Sequence, residues 1–286
     1  MFTDPQQSRV RGPIRIVSDV HWRHPVGIVR HPEQLAPLFD GAGTVIFNGD
    51  TVEQRSGTGR DGVMEAAGRF EECCRSEGAE AVFVNGNHDP DVSGCGLLEF
   101  AGGRVVVTHG DVLFPEIGIW GSSMPKLKSQ CEDFFRDGQA QVFESVDELI
   151  DTVRGVCSRL IRERNGNPQP GVIPFFLTQS WPPIRTLRII KCWLDTPERG
   201  AQLAARQKTR PRFMVMGHTH YPGIWRRRGL IVINTGSFMP PLGRTLVELD
   251  NGALAVRRIV YRRKAFRLGK TLGKWAVPCA EVDSFT

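Results

Sequence analysis

The sequence predicts a layered α/β fold, and three observations carry that reading. Short runs rich in β-branched residues recur along the first part of the chain. A helical stretch separates two of them. Clusters of Asp, Asn and His sit just after the runs, where strands would end.

Ile14-Arg15-Ile16-Val17-Ser18 reads as a first buried strand, and Thr44-Val45-Ile46-Phe47-Asn48 as a second. Ala81-Val82-Phe83-Val84-Asn85 and Val105-Val106-Val107-Thr108 follow, each bounded by Gly, Asp or Asn. Residues 62–77 read as a helix between the second and third strands, giving the βαβ rhythm of a layered sheet.

The texture changes over residues 115–211. Val142, Phe143, Val146, Leu149, Ile150, Val153, Val156, Cys157, Leu160 and Ile161 follow helical spacing, as do Ile184, Leu187, Ile190, Trp193 and Leu194. Between them lies a Pro- and Gly-rich stretch that holds Phe175, Phe176 and Trp181. The region reads as a helical insertion or cap, with two helices of the main layer joined by a long loop as the alternative. Strands return at Phe213–Met216, Leu230–Asn234, and residues 245–249 and 253–260. The organisation expected is therefore one domain from residues 1–114 and 212–262, an insertion at 115–211, and a basic C-terminal tail at 263–286. Arg257, Arg258, Arg262, Arg263, Lys264, Arg267, Lys270 and Lys274 make the chain basic from residue 257 on, and a solvated face is the common role of such a run.

At 286 residues, 40% hydrophobic and 24% charged, the chain is long enough to bury a core without a disulfide or structural metal. It contains no apolar run of about 18 residues. The polar N-terminus lacks the apolar centre of a signal peptide, which predicts a cytoplasmic protein. Seven cysteines, Cys73, Cys74, Cys95, Cys131, Cys157, Cys192 and Cys279, include no CxxC pair and read as buried thiols. The net charge of +6 suits an anionic substrate, a nucleic acid or an acidic membrane surface and selects none of them.

Five clusters carry the chemistry: Asp19-Val20-His21, Asn48-Gly49-Asp50, Asn85-Gly86-Asn87-His88-Asp89, His109-Gly110-Asp111 and Gly217-His218-Thr219-His220. Each follows an expected strand, so all five fall where an open α/β sheet binds ligands. Oxygen and imidazole donors without thiolates suit divalent metals. The carboxylates and amide of Asp19, Asp50 and Asn87 with the imidazoles of His21, His109, His218 and His220 are too many for one ion, and fit two ions sharing a bridging carboxylate. Isolated His24 and His31 read as loop or surface residues.

This ordered series resembles the calcineurin-like metallophosphoesterase superfamily across nearly the whole chain outside the insertion and tail, with Asn234-Thr235-Gly236-Ser237 resembling a loop that many members carry. The resemblance implies a four-layer α/β/β/α sandwich. It implies one metal held by Asp19, His21 and His220, a second by Asn87, His109 and His218, and Asp50 bridging both. It places His88 at the leaving group. It further implies a hydroxide between two cations ~3.5–4 Å apart attacking phosphorus. The ions expected are manganese, or iron with manganese, with zinc and cobalt also accommodated. Asp89 reads either as orienting His88 or as a turn carboxylate; Asp111 reads either as supporting the metal residues or as a surface residue.

Thr51-Val52-Glu53-Gln54-Arg55 departs from the Asp-Arg-Gly trio of protein serine/threonine phosphatases. GD-x-x-E, HGD and helices before GHTH resemble the UDP-2,3-diacylglucosamine pyrophosphatases, which cleave a diphosphate under a helical cap. That branch carries arginine where this chain has His88. The substrate expected is a phosphorylated small molecule or a lipid-linked one, with peripheral membrane contact through the basic end. A general phosphodiesterase or phosphomonoesterase, a nuclease, and a non-catalytic scaffold are the alternatives. The sequence lacks the aromatic-basic interleaving of a nucleic-acid groove.

Overall fold

The computed structural model describes residues 10–54, 59–114, 129–131, 133, 143–163 and 183–277. Eleven strands occur among them: β1 Ile14–Val17, β2 Thr44–Asn48, β3 Glu80–Val84, β4 Leu97–Phe100, β5 Val105–Thr108, β6 Phe213–Met216, β7 Gly223–Arg227, β8 Leu230–Asn234, β9 Thr245–Asp250, β10 Ala253–Arg262 and β11 Ala265–Ala276. Their helices are α1 Ala36–Phe39, α2 Gly59–Ser76, α3 Val146–Glu163 and α4 Pro183–Ala205.

One sheet runs β11-β10-β9-β1-β2-β3 and the other β4-β5-β6-β8-β7. In the first, β1, β2 and β3 are parallel; in the second, β5, β6 and β8 are. The period-2 alternation of side chains then sorts the core into layers. Ile16, Ile46 and Val82 point between the sheets and meet Val107, Phe213, Val215 and Ile233 from the other sheet. Val17, Val45 and Phe47 point the other way, against Leu38 of α1 and Phe70 of α2. Val106, Met214, Met216 and Val232 likewise leave the inter-sheet core and pack under Leu149 and Val153 of α3 and Leu203 of α4. The result is an α/β/β/α sandwich.

Within residues 115–211, α3 and the C-terminal half of α4 form the outer layer over the five-stranded sheet, because their apolar faces cover Met214, Met216 and Val232. Leu187, Ile190 and Leu194, read from their spacing as a packing stripe, are 60%, 41% and 75% exposed, so the N-terminal half of α4 presents them to solvent. Val142, Phe175, Phe176 and Trp181 lie outside the described residues.

The basic end joins the six-stranded sheet. Ala265–Ala276 is no tail but the edge strand of the six-stranded sheet, paired antiparallel with β10. Its apolar positions explain the pairing. Phe266 is buried 5.1 Å from the Phe238 ring, and Trp275 packs on Phe213. Arg267, Lys270 and Lys274 take the outward positions.

Candidate metal centre

The parallel strands of both sheets end on one side, and their carboxyl ends carry the clusters. Five of the clustered residues adopt left-handed backbone: Asp19 (φ 51°), His21 (48°), Asp50 (51°), His218 (65°) and His220 (59°). For non-glycine residues such geometry costs ~1–3 kcal/mol each and persists only where neighbours enforce it. Here cross-strand hydrogen bonds do so. Asp19 N donates to Gly49 O at 3.1 Å, His21 N to Asp50 O at 2.9 Å, and Phe238 N to Asp19 O at 3.0 Å. Close approach fixes two glycines. A Cβ at Gly49 would sit 2.3 Å from His109 Nδ1, and one at Gly217 would sit 2.1 Å from Asp19 Oδ2.

The donors fall into groups. Asp19, His21, Asp50 and His220 place one ligand atom each within 4.8 Å of all the others. Within that group His220 Nε2 is 3.2 Å from Asp19 Oδ1, and His21 Nε2 is 3.0 Å from His220 Nε2 and 3.7 Å from Asp50 Oδ2. Asp50, His109 and His218 form another group within the same limit, with His109 Nε2 3.3 Å from Asp50 Oδ2. Asn87 joins it through Oδ1, 2.9 Å from His218 Nδ1. All these side chains except that of His220 are buried.

The tautomers fit cation binding. His109 Nδ1 donates to the Asn48 carbonyl at 3.0 Å, which turns Nε2 toward Asp50, where a cation would take the place of its proton. That Nε2 is buried without a hydrogen-bond partner. His218 Nε2 donates to Phe114 O at 3.1 Å, which leaves the Nδ1 lone pair against the Asn87 oxygen. Lone pairs that face one another in a buried pocket are a donor set for a cation.

The electrostatics make the same demand. Burial opposes a charge on His109, but the Asp50 carboxylate holds its pKa well above the ordinary imidazole value. Burial likewise opposes ionisation of Asp50, and His109 and His88 keep it well below the ordinary carboxylate value. His218 is pushed down to about 3 by burial and by His109.

Glu53 is a site residue that the sequence reading left without a role. It is buried, with Oε2 3.0 Å from His88 Nδ1 and 3.6 Å from His21 Nδ1. Its only sequence signal is its place in GD-x-x-E. Burial would lower His88, yet Glu53 and Asp50 together raise it to about 9. Asp89 does not orient His88. Its carboxylate accepts the backbone N–H groups of Asp50, Thr51, Val52 and Gly86, so it is the turn carboxylate that shapes the Asp50 loop. Asp111 accepts from Val112 N at 3.1 Å. His24 Nδ1 accepts from Val26 N at 3.1 Å and serves its own turn.

Asn234 at the end of β8 and Ser237 in the loop after it brace the centre. Asn234 Nδ2 donates to Gly217 O, and Ser237 Oγ donates to Asp19 O at 3.1 Å. At the rim, Trp193 Nε1 of α4 donates to Thr219 O at 2.9 Å, which ties that helix to the His218–His220 turn.

No family model and no curated protein matches the sequence. Among solved structures, the chain is similar to a dimetal phosphatase from Danio rerio at 12% identity, covering 93% of this chain and 98% of that one, with a TM-score of 0.42. It is similar to Vacuolar Protein Sorting 29 from Cryptosporidium parvum at 11% identity, covering 92% and 98%, with a TM-score of 0.41. A predicted phosphoesterase from Streptococcus pneumoniae TIGR4 is 16% identical, with coverage of 90% and 95% and a TM-score of 0.36.

Proposed function

We propose that this chain is a calcineurin-like metallophosphoesterase that hydrolyses a phosphodiester or diphosphate bond. The observation that carries the reading is the place of Asp50. Its Oδ2 lies 3.7 Å from His21 Nε2 and 3.3 Å from His109 Nε2, so one carboxylate joins two imidazole-rich donor sets. Two divalent ions, manganese by preference, would supply Lewis acidity and an activated water there. Oxygen and imidazole donors without a thiolate support that choice of metal.

The chain's own residues do the rest. Asp19, His21 and His220 hold one side of the centre; Asn87, His109 and His218 hold the other. His88, its Nδ1 engaged by Glu53, has Nε2 left to give a proton to the departing oxygen. General-acid assistance of this kind is worth ~10²–10⁴ in rate. The Ser18 and Thr235 hydroxyls and the Ser237 Oγ contact to the Asp19 carbonyl keep the Asp19 turn rigid, so the donors need little reorganisation.

For the substrate, the GD-x-x-E, HGD and GHTH pattern supports the UDP-lipid pyrophosphatase branch. So does the exposed apolar stripe of Leu187, Ile190 and Leu194 on the helix tied to Thr219, which offers an acyl chain a surface beside the centre. We place such an enzyme in the cytoplasm, peripheral to an anionic membrane.

The test compares hydrolysis of bis-para-nitrophenyl phosphate and para-nitrophenyl phosphate by manganese-loaded protein of measured metal content. Two ions per chain with preference for the diester is the expected result. Preference for the monoester replaces the diesterase reading with a phosphomonoesterase. Two ions with no turnover of either ester, or of a UDP-linked lipid, overturns the enzymatic reading in favour of a scaffold.

A further inference from the structure

The two sheets expose neighbouring edges, β7 in one and the β10–β11 hairpin in the other, and a cleft of about 500 Å³ opens between them. That volume lies within the range of small-molecule sites. None of the metal-centre donors lines it. Its walls are apolar at Ile224, Ile259 and Leu272 and cationic at Arg244 and Arg258.

The charge of these two arginines is not neutralised within the chain, as it is for several others. Arg15 is paired with Glu248, Arg69 with Glu33, and Arg227 and Arg228 share Glu198. Among the described residues, Arg244 and Arg258 have neither an ion pair nor a side-chain hydrogen bond. Arg244 is half-buried, and its Nε is sealed from solvent without a hydrogen-bond partner. Its guanidinium is held over the rings of Phe266 at 5.3 Å and Phe238 at 5.7 Å. Burial lowers its pKa with no acid nearby to restore it. An uncompensated guanidinium at the wall of a cleft has open N–H donors in the planar fork that fits carboxylate and phosphate oxygens.

We propose that this cleft binds an amphipathic anion, its acidic head group on Arg244 and Arg258 and its apolar body against Ile224, Ile259 and Leu272. The head group is a phosphate or a carboxylate, since one guanidinium fork accepts either. The site is independent of the metal chemistry and stands whether or not the protein hydrolyses phosphoesters.

The experiment is calorimetric titration of the metal-loaded protein with decyl phosphate and with decanoate, both below their micellar concentrations. Inorganic phosphate and uncharged decyl glucoside serve as comparators. Saturable binding of one anion per chain is expected, at least about tenfold tighter than either comparator. Arg244→Ala and Arg258→Ala should each weaken it at least about tenfold. Leu272→Asp should do the same without disturbing the fold, because Leu272 is 40% exposed. Tighter binding of decyl phosphate assigns a phosphoryl head group, and tighter binding of decanoate a carboxylate; both support the cleft. Absence of saturable binding, or affinity equal to that of a comparator, overturns the proposal. So does binding that survives the double arginine variant, with melting temperature and metal content as fold controls.

Discussion

The Glu53 carboxylate reaches His88 Nδ1 at 3.0 Å and stands 3.6 Å from His21 Nδ1, so a single buried acid sets the rings of both histidines. It has no part in the two groups built on Asp50, and acts on them through its neighbours. Replacing it by glutamine keeps the shape and removes the charge. Glu53→Gln is expected to lower kcat by ~10–100-fold, with the loss greatest for poor leaving groups and the metal content intact. A uniform loss across leaving groups would show that Glu53 does not act through the proton on His88.

Asp50→Asn weakens both ion sites at once, because both donor sets converge on its carboxylate. Metal analysis after dialysis is expected to show fewer than two ions per chain and hydrolysis reduced by at least ~10³-fold. Two retained ions with full turnover would remove Asp50 from its bridging role.

Gly217→Ala tests the two sites separately. The new Cβ would meet Asp19 Oδ2 at 2.1 Å and Ser18 Oγ at 2.4 Å, on the Asp19 side of the centre. The Asp19–His21–His220 ion should be lost while the other stays. Simultaneous loss of both would mean that the sites are not separable.

Asp89→Ala strips four backbone N–H groups of their acceptor in a buried turn. Unsatisfied donors of this kind cost ~1–3 kcal/mol each, and relaxation recovers part, so a loss of ~3–5 kcal/mol is expected. Urea unfolding of the metal-free protein measures it; a loss below ~1 kcal/mol would mean that the loop does not depend on Asp89.

The pH dependence of the metal-free protein carries its own sign. His88 is raised from 6.5 to about 9 in the folded chain. A group raised on folding contributes stability that is fully present below the unfolded value and fades as pH climbs through the folded one. Chelator-treated wild type should therefore exceed His88→Gln by ~3 kcal/mol near pH 6, and the gap should close by about pH 9.5. A gap that does not change with pH would show that the imidazolium is not what stabilises that pocket.

Much of this architecture was legible because burial on both faces writes continuous apolar runs. β2, β5, β6 and β8 read from the sequence with the bounds the structure shows. The strands missed are those that run along sheet edges. β4, β7 and β11 mix charged residues among the apolar ones, and in β11 the charges read as a solvated tail. The donor residues were legible because each follows a strand end. Glu53 and Asp89 were not, since their roles depend on which way a turn folds. Asp89 points back into the Asp50 loop, and so leaves Glu53 to meet His88. The helices of residues 115–211 misled for a related reason: spacing shows that a face is apolar but not whether it covers a sheet or looks outward, as Leu187 and Leu194 do.

β11 closes the six-stranded sheet with a row of unpaired backbone groups, the kind of border on which another chain can polymerise. Arg267, Lys270 and Lys274 stand outward along that border. Like charges along such a border set two copies to repel where bare edges would zip together.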